Sequence, residues 1–409
     1  MSRERIRRLF VGLTLVLMGS ILPLLGTPAM ATEVAYLDLS DFTGPVAGLA
    51  LPISSGLEDY IKEINGRGGV EGVKIKYIGV DTRYDVARTV SAFKRYARDT
   101  QVVAMGIVST PAGKMLQRLT TDQPITCTVP GDGEFQAHVG NFFTWGPTYQ
   151  DAFAATIDWV LEDWKKKGKE GAPSIAVLSW DNAYGREMLR GGQEYAEKKG
   201  VKVLKSELFP TGSLKYDIYL NRIAEAGANY VYVGGVDPTQ TNIMRDVTRL
   251  GLTKDIKFIS DYWGPTALGT SLHPEALEGM VVVSFFLRGE DSQNNEMMKK
   301  FGTKYRQRPI NEMNGGYAIG LGVGMAFEAA IKDAIKRVGP NKLTRDEIYK
   351  SFQNVTGLDR QGVVGPVAYS PKVRRGSNVV KFYEVKSGKI FPVTDWVEAP
   401  NAVALHEWK

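Results

Sequence analysis

Residues 174–187 read "SIAVLSWDNAYGRE", an apolar run of strand length that stops at Trp180 and gives way to a polar, helix-forming stretch. Trp180, Asp181, Asn182 and Tyr184 fall within five positions at that junction. A plain connection does not need so many functional groups, so the junction reads as a strand-to-helix turn and as one wall of a pocket. The same form recurs along the chain, and its recurrence sets the fold.

Upstream, "VAYLDLS", "VKIKYIGVD", "VVAMGIVS" and "PITCTV" alternate with helical stretches over 45–66, 85–98 and 111–121, and a short strand follows at "NFFTWG". After a helix over 148–167 and the charged turn "KKKGKEGAP" (165–173) the rhythm restarts. "SIAVLSWD", "VKVLKSELF", "NYVYVGGVD" and "IKFISD" then alternate with helices over 184–199, 215–226 and 238–250. These strands are nearly continuous apolar runs, as in a parallel sheet covered on both faces. Two sets of βα units predict an α/β protein with two Rossmann-like lobes. A further strand is expected in "EGMVVVSFF" (278–286), then helices near 292–307, 314–338 and 344–353, and a hairpin turning at Ser387-Gly388. The Gly316, Gly320, Gly324 spacing predicts close helix packing, not a membrane dimer motif.

The chain opens with Arg3, Arg5, Arg7 and Arg8, an apolar segment, and the small-x-small triplet Ala29-Met30-Ala31, the pattern of a cleaved secretory signal peptide over 1–31. That leader carries four arginines and one glutamate, which leaves +3 of the chain's formal +6 on the mature protein. So mild a charge argues against a nucleic-acid partner. The leader has no cysteine near its end, so no lipid anchor is expected. Cys127 is the single cysteine, which rules out disulfides within the chain. These features predict a protein free in the periplasm and stabilised by packing.

Catalytic chemistry finds little support. His138, His273 and His406 are too scattered for a metal site, one cysteine cannot complete a zinc centre, and there is no G-x-S-x-G elbow. "GIVSTPAGK" (106–114) looks like a phosphate loop, but six residues separate Gly106 from Gly113 and Met115 stands where a magnesium-binding hydroxyl belongs. Neither a catalytic residue, a metal nor a cofactor is expected. What that stretch does offer is a strand end, the Ser109-Thr110 capping pair and Pro111 at a helix start, a place that can hold a carboxylate.

Asp41, Asp81, Asp181, Asp237 and Asp261 all follow strands, where Asp caps the next helix, and the carboxyl edge of such sheets is also where ligands bind. Phe42, Trp145, Tyr149, Trp180, Tyr184, Tyr262 and Trp263 gather at the same edges, in polar loops and not inside strands. Together they predict an aromatic cleft between the lobes.

Over residues 33–396 the chain resembles the periplasmic solute-binding proteins of ABC importers, specifically the branched-chain amino acid-binding family. The resemblance rests on "DFTGPVAG", "YIKEINGRGGVEGVKIKYIGVD", "DNAYGRE", "FPTGSLKYDIYLNRIAEAGANYVYVGG" and "GPVAYSP" in that order. It implies a type I periplasmic binding fold with three hinge crossings near 142–148, 279–287 and 357–368. Lobe 1 would comprise 32–145 and 284–358, and lobe 2 would comprise 146–283 and 359–409. It also implies that Ser109 and Thr110 hold a ligand carboxylate, that Tyr184 faces the ligand, and that Gly131 stands where a second carboxylate-binding threonine belongs. Leu49 and Val236 replace aromatic positions. An amine partner would come from Asp237 or from "SDYWG", which offers Asp261, Tyr262 or Trp263, while Phe42, Trp180, Tyr184 and Trp263 would contact the apolar body. The implied function is non-catalytic: a monomeric receptor that captures a small amino acid or carboxylate and delivers it to an inner-membrane ABC permease. Output to a chemoreceptor or sensor kinase is the alternative, and an exported hydrolase a weaker one.

Overall fold

The computed structural model describes residues 32–120, 123, 125–307 and 315–409. The expected leader therefore lies outside the described residues. Residues 32–409 form one compact unit built on two sheets.

The first sheet has the order β2-β1-β3-β4-β5, from β1 (Glu33–Ser40), β2 (Lys74–Asp81), β3 (Val102–Ile107), β4 (Thr126–Val129) and β5 (Phe142–Thr144), all parallel. Between them run α1 (Ala47–Gly66), α2 (Val86–Tyr96), α3 (Thr110–Leu119) and the short α4 (Glu134–Ala137). β1 and β3 are almost wholly buried because helices cover both faces, which is why they read as unbroken apolar runs.

After β5 the chain enters α5 (Tyr149–Lys166), whose start is fixed by a reciprocal cap between Thr148 and Asp151. It then builds the second sheet from β6 (Ser174–Trp180), β7 (Lys202–Val203), β8 (Glu207–Phe209), β9 (Tyr230–Val233), β10 (Lys257–Ser260) and β11 (Val281–Ser284). β7 and β8 pair with successive parts of β6, so the single strand expected over 201–209 is a broken edge strand. The helix expected over 184–199 is also two: α6 (Ala183–Glu187) and α7 (Gly192–Lys198). The break falls at Gly191, whose φ of 99° suits glycine and whose hydrogen side lies against the Ala402 carbonyl. α8 (Asp217–Glu225) and α9 (Thr239–Arg249) follow expectation, while α10 (Ala267–Leu272) and α11 (Pro274–Leu277) occupy a stretch assigned no structure from the sequence.

The segment expected as one helix over 292–307 restarts at Asn295, which caps the second part, giving α12 (Gly289–Asn294) and α13 (Glu296–Phe301). α14 (Gly316–Val338) and α15 (Arg345–Phe352) return to the first sheet's side, where α14 lies along α1. Finally β12 (Val379–Lys386) and β13 (Lys389–Pro392) form the expected hairpin through Ser387 and Gly388, both at positive φ, and β12 joins β11 antiparallel; β14 (Val397–Glu398) pairs with β12. The second sheet is thus mixed, a parallel core with an antiparallel hairpin on one edge.

The three segments expected as crossings lie side by side. Phe286 bridges Val364, the Gly376 N–H donates to the Gly146 carbonyl at 3.0 Å, and buried Arg360 donates to the carbonyls of Trp145, Gly365 and Gly376. One guanidinium therefore satisfies carbonyls from two of the segments.

Candidate functional site

β3 ends at Ile107, and Ser109 caps α3 by accepting the Ala112 N–H at 3.3 Å, with Pro111 in the first turn. The N-terminus of this ten-residue helix, with Thr110 at its first position, borders a cavity of about 30 Å³. Val46 and Leu49 from the start of α1, Tyr84 after β2, and Val108 complete that side. Pro130 and Trp145 come from the ends of β4 and β5, and Tyr149 from the start of α5. Tyr184, Val236 and Trp263 follow β6, β9 and β10. The ends of both sheets share one hollow, and no described residue lining it is charged.

Tyr149 organises the polar side. Its hydroxyl lies 3.2 Å from Thr110 Oγ1 and accepts from Trp263 Nε1 at 3.2 Å, while its ring stands edge-on to Tyr184 and stacks on Tyr262. Tyr184 donates to the Asp261 carboxylate and accepts the Gly235 N–H at 2.6 Å. Asp261 also accepts from Gln240 Nε2 at 2.8 Å and from the Trp263 N–H at 2.9 Å. Burial pushes the Asp261 carboxyl up to about 7, against the lowering pull of the Tyr184 hydroxyl. The Trp145 indole N–H is buried with no partner among the described residues.

Of the residues singled out from the sequence, Ser109, Thr110, Trp145, Tyr149, Tyr184 and Trp263 line this one cavity, together with Leu49 and Val236. Asp261 stands behind it, engaged by Tyr184, Gln240 and Trp263. Tyr262 and Gly131 form a backing layer: the Gly131 carbonyl accepts the Tyr149 N–H at 2.6 Å, and a Cβ there would overlap the Tyr262 hydroxyl. Gly131 thus positions Tyr149, and it has no hydroxyl to offer a ligand. Trp180 sits edge-on behind Tyr184 and Tyr84. Two residues lie elsewhere. Phe42 is half-buried beside Gly79, with its N–H held by Asp81 at 2.9 Å. Asp237 spends its carboxylate on Thr241 Oγ1 (2.5 Å) and on Thr266 Oγ1 and N–H (2.7 and 2.9 Å), and it borders a separate, larger groove. As a strand-end carboxylate Asp237 does what caps do, which is why it does not reach the cavity as an amine partner.

Tyr84 was not legible as a lining residue. It sits at φ 58° in a polar turn between Arg83 and the capping Asp85, with no periodic signal around it.

Beside the cavity, Lys114 of α3 bonds Glu187 of α6 and lies 3.1 Å from Asp132 and 2.9 Å from Glu134. Arg190 reaches Glu187 at 3.1 Å and Glu134 at 3.4 Å. The carboxylates of Asp132, Glu134 and Glu187 converge within 4.8 Å, and the Lys114 ammonium already stands among them, where a metal ion would have to sit. Burial pulls the Lys114 pKa down, but Asp132 and Glu187 overcome that and hold it above the ordinary value. Burial, then the neighbouring Glu187, pushes Asp132 up.

Two α/β layers whose strand ends share an uncharged aromatic hollow are the architecture of a solute-binding clamshell. Residues 39–389 match the family model described as periplasmic binding protein, and the chain belongs to that family. Among its relatives, the leucine-, isoleucine-, valine-, threonine- and alanine-binding protein of Pseudomonas aeruginosa is 23% identical, covering 87% of this chain and 91% of that protein. A branched-chain amino acid ABC transporter protein from Thermus thermophilus, solved with valine, has a TM-score of 0.80 at 20% identity, covering 91% of this chain and 97% of that one. A solute-binding protein of Rhodopseudomonas palustris, solved with p-hydroxybenzoic acid, has a TM-score of 0.77 at 16% identity, covering 91% and 99%. The fold is that of the type I periplasmic binding proteins. Among the described residues no helix is long and apolar enough to cross a membrane.

Proposed function

We propose that this protein is the periplasmic receptor of an ABC importer, and that its ligand is a small carboxylic acid without an α-amine. The lobes are 32–145 with 284–358 and 146–283 with 359–409, freed by cleavage after a leader over 1–31. The receptor acts as a monomer that closes on its ligand and presents it to the permease.

One observation carries the choice of ligand. The cavity offers a helix N-terminus, the Thr110 and Tyr149 hydroxyls and the unpartnered Trp145 indole N–H, all suited to a carboxylate, and no lining carboxylate for an ammonium. The Pseudomonas relative is named for amino acids and the Rhodopseudomonas neighbour was solved with an aromatic acid. What favours the acid here is Asp261, the nearest candidate amine partner, which three protein donors already occupy. An ammonium closed into this site would stay unpaired, at a cost of several kcal/mol.

Thr110→Ala tests the anchor. Calorimetry with the acid identified by mass spectrometry of ligand released from the purified protein should show about 1–3 kcal/mol of lost affinity, the value of a hydrogen bond to a charged group. Unchanged affinity removes Thr110 from the site.

A further inference from the structure

The cavity holds about 30 Å³, room for roughly two water-sized spheres and far less than a pocket that encloses a typical organic ligand. Beside it lies an open groove of about 670 Å³ that no part of the reading above uses. The two spaces are neighbours along the chain at two points. Leu49 lines the cavity and Gly48 the groove; Val236 lines the cavity and Asp237 the groove. At that neck a Cβ on Gly48 would meet the Asp237 carbonyl oxygen at 3.9 Å, ordinary van der Waals contact, so α1 and the loop after β9 leave no gap for a free chain here and a tail passes only as the two part.

Apolar side chains floor the groove. Leu51 of α1 and Leu268 and Leu272 of α10 border it at 43%, 66% and 64% exposure, beside Pro52 and Tyr317. Three leucines held open to water on facing helices are a surface that gains from being covered. The groove's carboxylate, Asp237, is occupied by Thr241 and Thr266, and its guanidinium, Arg306, by Asp59 at 2.6 Å and the Ser55 carbonyl at 3.0 Å. Asp237 and Arg306 are committed to the protein, which leaves the leucines, with the Asn242 and His273 side chains beside them, as the surface on offer.

We propose that the groove is the outer half of the ligand site. The ligand is then an elongated monocarboxylate, with its head at Ser109-Thr110 and an unbranched apolar tail passing Gly48 to lie on Leu51, Leu268 and Leu272. This rests on the receptor reading above and narrows its substrate class.

The test is calorimetry with the linear series butanoate, hexanoate, octanoate and decanoate, alongside leucine and benzoate. Each methylene that enters the groove should lower Kd about fourfold, from its burial free energy of about 0.8 kcal/mol. Leu268→Glu/Leu272→Glu, two exposed positions that folding tolerates, should flatten the rise, and Gly48→Leu should cap it by plugging the neck. Leucine or benzoate binding with a flat or falling linear series overturns the groove and leaves the receptor reading standing. Failure of every acid and amino acid to bind overturns both.

Discussion

Lys114→Met is expected to destabilise the protein by about 3–5 kcal/mol at neutral pH, because it strips the counter-charge from a buried cluster. Asp132 and Glu187 are almost fully buried, and Lys114 is the cation they share. Methionine matches the stem but leaves Asp132 without a cation and Glu187 with Arg190 alone, the two carboxylates facing one another. The deficit should depend on pH in a definite direction. In the variant Asp132, already pushed up by burial and by Glu187, loses the cation that pulls it down, so the folded protein holds a proton that the unfolded chain gives up. The loss is then greatest above neutrality and shrinks as pH falls toward about 5 and the cluster takes up protons. Urea unfolding at pH 8 and pH 5 reads both effects; a loss under about 1 kcal/mol at pH 8 would mean the cluster is not held by Lys114. Because Lys114 lies on α3 of the first layer and Glu187 on α6 of the second, the same variant should bind ligand more weakly, the closed form having lost a tie.

Gly320→Leu should cost at least the upper end of the roughly 1–3 kcal/mol typical of overpacking. α14 approaches α1 so closely that a Cβ at Gly320 would overlap the Ile53 carbonyl, one at Gly316 would stand 2.8 Å from the Leu49 carbonyl, and one at Gly324 2.6 Å from the Tyr60 ring. At Gly320 the obstacle is backbone, which cannot turn aside as a side chain can. Helix propensity pulls the other way by somewhat under 1 kcal/mol, so a neutral or stabilised variant in chemical denaturation would mean the helices separate freely. α1 also carries Leu49 and Val46 toward the cavity, so displacing it should disturb binding as well.

The parallel layers were legible because strands buried on both faces leave unbroken apolar runs, and the hairpin because Ser387-Gly388 supplies the positive φ its turn needs. Breaks inside helices were not, since Gly191 and Asn295 interrupt periods that continue on either side. At the site, the Ser109 cap announced itself through local chemistry, a hydroxyl before a proline-led helix. Which strand-end carboxylates face the cavity did not: Asp237 and Asp261 have the same local signature, and only the three-dimensional arrangement gives one to Thr241 and Thr266 and the other to Tyr184. Tyr84 enters through a loop whose course depends on contacts far away in sequence, whereas Trp145 was marked by its place at a strand end.

Leucine and 4-methylpentanoate share a carbon skeleton and differ by one ammonium, so their affinities, measured side by side by calorimetry, isolate the missing amine partner. A site anchored at Ser109 and Thr110 with Asp261 already engaged should bind 4-methylpentanoate at least about tenfold more tightly, a difference of some 1.4 kcal/mol. Tighter binding of leucine would contradict it, and would mean that a carboxylate swings into the hollow when the ligand arrives.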